Sequence, residues 1–375
     1  MPEINLADAV TFTPNKPEPI HNWFYYKEGF SRGLVDWCLD KYKMKAPVLD
    51  PFCGSGTTLL ACKQRGLMSV GIDVSPLALL AARAKTHNYD LEKLRETVIE
   101  LKKLKPEFKG NPFKQDWVRR LFYAKTLENI LFYKEKIEEM KDESVRDFLL
   151  LALVDTSGRV ANVVKAGGSL RREKKPPLPV KKLLFSKLKF MYRDLKRNKL
   201  PEVEPEAVES DARKTTFLPE HFGGLITSPP YLNKIEYTTV YKMELALFFK
   251  AQETRLRAFL GEETALEGQP FSAAGGTGEG EGEGLPPIAK AYFEDLEKVL
   301  QNCFPALKTG AKAVFNIAGG CFPDRLVESD EVLARLGERV GFKLVEIVPC
   351  RRIQCHMMRS IKTGTVNESL VVFEK

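Results

Sequence analysis

Two short segments of the chain concentrate residues whose types and spacing could do chemistry. The first is Asp50-Pro51-Phe52-Cys53-Gly54-Ser55-Gly56-Thr57-Thr58, and the second is Thr227-Ser228-Pro229-Pro230-Tyr231. A glycine turn between a strand and a helix lets backbone come close to a ligand, and the helix N-terminus behind it presents unpaired N–H groups. Taken alone, Gly-Ser-Gly occurs in many α/β folds. Three acids give it direction: Asp50 just before the turn, Asp73 at the end of the next strand, and Asp211 in Glu209-Ser210-Asp211-Ala212. Carboxylates suit a ligand that offers a cationic amino-acid end, ribose hydroxyls and an adenine amine, all of which need acceptors. A dinucleotide diphosphate would instead want amides and no acid nearby. S-adenosyl-L-methionine meets the first demand. In the second segment two consecutive prolines fix the backbone, and an ordinary Ser-Pro-Pro turn is the plain alternative when it is viewed by itself.

These residues need a scaffold, and the flanking text describes one. Val48-Leu49-Asp50 reads as a strand that follows a helical segment, Ser31 to Lys43, and leads through the glycines into a helix from Leu59. Ser69 to Ile72 is a second strand ending at Asp73, and Ser75-Pro76 opens a helix over Leu77 to Lys85. The order β-α-β-α predicts a parallel, doubly wound sheet. From Tyr89 to Leu200 the pattern changes to long amphipathic helices (Leu91 to Leu104, Val118 to Met140, Ser144 to Val154) with no strand of the sheet visible. Residues 89–200 therefore read as a helical, basic insertion for substrate recognition, dividing a catalytic domain into parts 1–88 and 201–375. The sheet resumes with Gly224 to Thr227, the helix Tyr292 to Leu307, the strand Lys312 to Ile317 and the helix Glu328 to Val340. Two final strands follow, Lys343 to Val348 and Ser369 to Phe373, the last expected to be antiparallel. Gly275 to Gly284, alternating glycine and glutamate over most of its length, is expected to be a mobile surface loop.

The string Asp-Pro-Phe-Cys-Gly-Ser-Gly-Thr-Thr together with Thr-Ser-Pro-Pro-Tyr resembles the S-adenosylmethionine-dependent amino-methyltransferases that act on cytosine N4 or adenine N6 of nucleic acids. The resemblance covers the sheet scaffold and not the insertion. It implies a Rossmann-like class I methyltransferase fold, a mostly parallel seven-stranded sheet with an antiparallel last strand. It assigns the methionine part of the cofactor to Asp50, Phe52, Cys53, Gly54 and Gly56, the ribose to Asp73 and the surroundings of adenine to Asp211, with Phe30 and Ser31 as looser contacts. An exocyclic base amine is conjugated into its ring and is a poor nucleophile. The enzyme must accept hydrogen bonds from its N–H groups as the nitrogen becomes tetrahedral, and Ser228 Oγ and the Pro229 carbonyl are the expected acceptors. Pro230 would fix the turn, and Tyr231 would stack on the flipped-out base. In this family Ser-Pro-Pro-Tyr more often accompanies cytosine N4. Val348-Pro349-Cys350, which superficially matches the nucleophile of cytosine C5 enzymes, is far in sequence from the catalytic turn and is read as coincidence.

Charge points to the partner. The formal net charge is +8, but Arg159 to Lys199 holds fourteen lysines and arginines against two acids, so the rest of the chain is mildly acidic. Basic residues interleaved with Leu183, Leu184, Phe185, Leu188 and Phe190 suggest a phosphate-binding surface, with Arg171, Arg172, Lys174, Lys175, Lys181, Lys182, Lys187 and Lys189 as candidates. A solvated face is the other reading of such a run. The preferred substrate is RNA, ribosomal RNA methylated or dimethylated at cytidine N4, because a loop base needs less unstacking and the whole sequence resembles archaeal rRNA methyltransferases. The alternative is a restriction-modification DNA methyltransferase acting on cytosine N4 or adenine N6, and a rival from another class is a noncatalytic nucleic-acid-binding protein that retains the fold. The seven cysteines are odd in number and lack a Cys-x-x-Cys pair, which argues against a zinc module or a disulfide framework, and no metal is expected. The N-terminus lacks a secretory pattern and no apolar run is long enough to span a membrane, so a cytoplasmic protein is expected. Nothing in the sequence sets the oligomeric state, and a monomer is compatible with it.

Overall fold

All three residues of Val48-Leu49-Asp50 are buried, and this short strand lies at the centre of the sheet. The computed structural model describes residues 4–107, 113, 115–166, 169–232, 237–249, 285–322, 325–355 and 364–375. The glycine-rich segment 275–284 lies outside these residues. We number the strands of the main sheet β1 (Val48–Asp50), β2 (Ser69–Asp73), β3 (Glu206–Glu209), β4 (Phe222–Thr227), β5 (Leu307–Ala318), β6 (Lys343–Cys355) and β7 (Gly364–Glu374). Their order across the sheet is β3-β2-β1-β4-β5-β7-β6. β1 pairs in parallel with β2 and β4, β2 with β3, and β4 with β5, whereas β7 runs antiparallel to both β5 and β6. This is the Rossmann-like class I methyltransferase arrangement expected from the sequence. The strand order reverses between β1 and β4, and in open α/β sheets ligands bind outside the carboxyl ends of the strands at such a point.

Strand alternation decides what covers each face. Val48, Ile226, Val314, Leu370 and Val372 pack with Leu34, Val35, Cys38 and Leu39 of helix α1 (Arg32–Lys41) and with Ala61 and Cys62 of α2 (Thr57–Gln64). Their neighbours Leu49, Leu225, Ala313, Phe315 and Phe373 pack on the other side, against the two helices that precede β5 and β6. Sheets buried on both faces have few polar residues in their central strands, which is why these strands were legible as apolar runs.

Between β2 and β3 lie α3 (Pro76–Thr86), α4 (Leu91–Lys103), α5 (Ala124–Glu138), α6 (Glu143–Val160) and α7 (Val180–Arg197), and α8 (Tyr237–Phe248) follows β4. The helices before β5 and β6 are α9 (Pro287–Ala306) and α10 (Ser329–Val340). Caps set several starts: Ser75 Oγ accepts from Ala78 N with Pro76 behind it, Asp90 accepts from Glu92 and Lys93 N–H, and Asp142 accepts from Val145 N–H. α3 to α8 share a second apolar core built on Phe148 to Val154 of α6, with Trp23 edge-on to Phe148 at 5.4 Å. Two expectations for this region, and one for the cysteines, need correction. The segment Val118 to Met140 is not one helix: a four-residue helix, Asp116–Arg119, is separated from α5 by residues 120–123, of which Leu121 and Phe122 are buried in that core. The region also contains an antiparallel hairpin, Val163–Ala166 with Ser169–Arg172. Cys321 is disulfide-bonded, although Cys38, Cys53, Cys62, Cys303 and Cys350 are free.

Candidate active site

The glycine turn folds as it does because Gly54 and Gly56 take positive φ angles of 50° and 78°. A Cβ on Gly56 would stand 2.7 Å from Cα and Cβ of Ala82, so this glycine lets α2 start hard against α3. A Cβ on Gly54 would meet the Tyr26 ring at 3.2 Å. Asp50, only 1% exposed, accepts from Thr58 Oγ1 at 2.6 Å, Thr227 Oγ1 at 2.6 Å and Phe52 N at 3.2 Å. The Thr227 bond crosses from β1 to β4 and joins the glycine turn to the residue before Ser228. Burial outweighs these donors and raises the Asp50 carboxyl to about 6. Asp73 accepts from Gly54 N at 2.9 Å and Ser75 N at 2.8 Å, and desolvation raises it to about 6 as well. Asp211 behaves oppositely. Burial pulls its carboxyl up, but the Arg213 guanidinium, bonded to both its oxygens and to Asp295, leaves it below the usual carboxylate range.

One cleft, open to solvent, collects most of the expected cofactor residues. Phe30, Asp50, Phe52, Cys53, Gly54, Asp73 and Asp211 line it, and so do Ser228 and Pro230 of the second segment. Two of the expected cofactor residues, Gly56 and Ser31, are not among those that line the cleft. Gly56 is taken up by helix packing, and Ser31, 1% exposed, caps α1 by accepting from Leu34 N at 3.3 Å. Sequence reasoning missed Tyr26, Glu28, Ser75, Ser210, Tyr241 and Leu245, which also line the cleft. Tyr26 and Tyr241 stack with ring centroids 5.1 Å apart and planes within 4°. The Tyr241 hydroxyl donates to Glu28 Oε2 at 2.9 Å, and burial raises the Glu28 carboxyl. Glu28 is two residues from Phe30 and was within reach of the same motif; Tyr241 enters from α8, which no local signal connects to the cleft. The acceptors on the cleft wall fit the ammonium, ribose and adenine donors of S-adenosylmethionine.

The turn that carries Ser228 is anchored from below. Ser228 Oγ donates to Tyr231 Oη at 3.3 Å; Tyr231 Oη donates to Glu368 Oε1 at 2.6 Å and accepts from Asn316 Nδ2 at 2.8 Å. Glu368, 1% exposed, is ion-paired with Arg351. Three strands, β5, β6 and β7, therefore hold a tyrosine that the sequence assigned only to base stacking, and Asn316, Glu368 and Arg351 had no motif to reveal them. Pro229 is buried. Cys350 lies on β6 at the edge of the sheet, and burial pushes its thiol up to about 12.

The eight candidate basic residues separate. Arg171, Arg172, Lys174, Lys182 and Lys189 are exposed. Lys175 and Lys181 spend their ammonium groups on the carbonyls of Val163 and Leu104. Lys187 does not belong to a basic surface: it is 9% exposed and paired with Asp155 at 3.1 Å beneath α7. Among the described residues no group of three or more His, Cys, Asp or Glu could hold a metal, and no helix is long and apolar enough to cross a membrane.

Comparison with known proteins bears on this site. An N6/N4 methyltransferase family model, described as DNA methylase, matches residues 15–83. The Type II methyltransferase M.BsoBI of Geobacillus stearothermophilus is 24% identical over 98% of this chain and 87% of its own. The Type II methyltransferase M.AvaI of Anabaena variabilis is 25% identical over 90% of this chain and 82% of its own. Among solved structures, a SAM-dependent methyltransferase of Methanosarcina mazei overlaps 88% of this chain and 91% of its own at 9% identity with a TM-score of 0.31. With an overlap this loose, the fold assignment rests on the strand order of the sheet. The family match and the Type II relatives support an amino-methyltransferase with a nucleic-acid substrate, and they favour DNA over the ribosomal RNA expected from the sequence.

Proposed function

We propose that this chain is an S-adenosylmethionine-dependent DNA methyltransferase that modifies an exocyclic base amine, cytosine N4 in the first instance. The observation that carries the reading is the Asp50–Thr227 hydrogen bond of 2.6 Å across adjacent parallel strands, which brings the glycine turn and Ser228 to one cleft. The cofactor supplies an electrophilic methyl group. Asp73 and Asp211 are the acceptors for ribose hydroxyls and the adenine amine, and Asp50 and Glu28 give the amino-acid end an acidic surround. Ser228 already donates its proton to Tyr231, so its lone pairs are free to accept from a base N–H. The chain Ser228 Oγ, Tyr231 Oη, Glu368 Oε1 ends at an ion-paired carboxylate, and such a relay polarises the serine oxygen toward the amine. Tyr231, fixed through its hydroxyl, keeps its ring at the turn where a flipped base would enter. The cytosine preference rests on the Ser-Pro-Pro-Tyr resemblance.

Nucleoside mass spectrometry of DNA and RNA from cells expressing the protein or its Ser228→Ala variant tests the proposal. N4-methylcytosine in DNA, lost with Ser228→Ala, is the expected result. N6-methyladenine in DNA would replace the base, methylation of RNA alone would overturn the DNA substrate, and no modification together with no cofactor binding would overturn the enzyme reading.

A further inference from the structure

A second cleft, outside the cofactor site, lies where the insertion meets α8. Its floor is Leu121, Val163 and Leu170, and its rim carries Trp117, Arg120, Arg172 and Lys242. Trp117 is 39% exposed, whereas Trp23 is fully buried. Lys242 Nζ sits 5.6 Å from the centroid of the Trp117 ring, and Arg172 Nη2 donates to the Arg120 carbonyl at 2.8 Å. Among the described residues none of Arg120, Arg172 and Lys242 is in an ion pair, and the one acid on the rim, Asp116, is paired with Arg119 at 3.0 Å. Three unneutralised cations around an aromatic face above an apolar floor match a nucleotide: the base has a flat apolar face, and the flanking phosphates carry the charge. Position agrees with chemistry. Lys242 adjoins Tyr241, whose ring lines the cofactor cleft, so one helix presents successive residues to the two clefts.

We propose that this second cleft holds a DNA nucleotide flanking the target base, with Trp117 stacking on it and Arg120, Arg172 and Lys242 contacting phosphates. The inference rests on the nucleic-acid reading above. It extends the basic surface to Trp117, Arg120 and Lys242, which the charge run did not include.

The test uses the full chain with S-adenosylhomocysteine and a fluorescein-labelled duplex DNA, followed by anisotropy over a series of salt concentrations. Trp117→Ala weakens binding about tenfold with an unchanged salt slope, because stacking carries no counterion release. The triple variant Arg120→Ala, Arg172→Ala, Lys242→Ala lowers the slope of log affinity against log salt by about 2 to 3, since each phosphate contact contributes about 0.9. In the wild type, DNA quenches tryptophan fluorescence, and Trp117→Phe removes the quench while retaining most of the affinity. Calorimetry with S-adenosylhomocysteine reports an intact fold in every variant. Variants that bind and methylate DNA like the wild type would overturn the cleft assignment and leave the methyltransferase reading standing. A wild type that binds neither cofactor nor DNA would sink both. Dependence on these residues for RNA of the same sequence, but not for DNA, would overturn the DNA partner.

Discussion

Asp50 is asked to be buried and to remain an acceptor, and Thr58, Thr227 and the Phe52 amide reconcile the two. Thr227→Val removes one of these donors at nearly constant shape. It should cost about 1–3 kcal/mol of stability, seen as a lowered thermal midpoint, and should raise the apparent pKa of Asp50 further. The pH dependence of cofactor binding follows from the same group and from Asp73. Both carboxyls are raised to about 6, so below that pH the free protein holds them protonated and they no longer attract a cationic or hydroxyl donor. Cofactor binding favours the ionised forms. Calorimetry between about pH 5 and about pH 7 should therefore find affinity rising with pH and protons released on binding, most strongly near the raised values. Glu368 acts through Tyr231 and is a positioning residue. Glu368→Gln should lower kcat about tenfold and leave cofactor affinity unchanged, whereas Ser228→Ala should lower kcat about 100-fold or more.

At the scale of elements, the turn from β1 into α2 depends on a glycine packed hard against the neighbouring helix. Gly56→Ala would need both a φ of 78° and space that Ala82 fills at 2.7 Å, so it should destabilise the protein by about 2 kcal/mol or more in thermal melts. The double variant Gly56→Ala, Ala82→Gly should recover the packing part and not the backbone part. Strands β1, β2 and β4 were legible in the sequence because each is a short apolar run bounded by turn chemistry. β3 was not: Glu206–Glu209 reads Glu-Ala-Val-Glu with mostly exposed positions, and among the described residues it is an edge strand paired with β2 alone. Helix propensity and periodicity ran straight through Leu121 and Phe122, where tertiary burial of both residues breaks the helix. The hairpin Val163–Ala166 with Ser169–Arg172 was obscured by its charges, since a basic run gives no period to read.

For the whole molecule, the site is a meeting of distant segments: the N-terminal Tyr26 to Phe30, the turns after β1, β2 and β4, Asp211 after β3, and Tyr241 of α8. The motifs were readable because each is local and carries its own chemistry. Tyr241, Asn316 and Glu368 were not, because only the strand order and the path of the helices bring them to the cleft or beneath the Ser228 turn. The charge run is local in the sequence, but burial withdraws Lys187 from it, and Trp117 and Lys242, outside the run, lie with Arg172 at a neighbouring cleft. The central claim is that one cleft at the carboxyl ends of β1 and β4 holds both the cofactor and the reacting amine. A crystal structure with S-adenosylhomocysteine tests it most directly. The account predicts the ribose against Asp73, the adenine beside Asp211 and the sulfur directed to Ser228; a cofactor bound elsewhere, or with its sulfur turned away from Ser228, would contradict it.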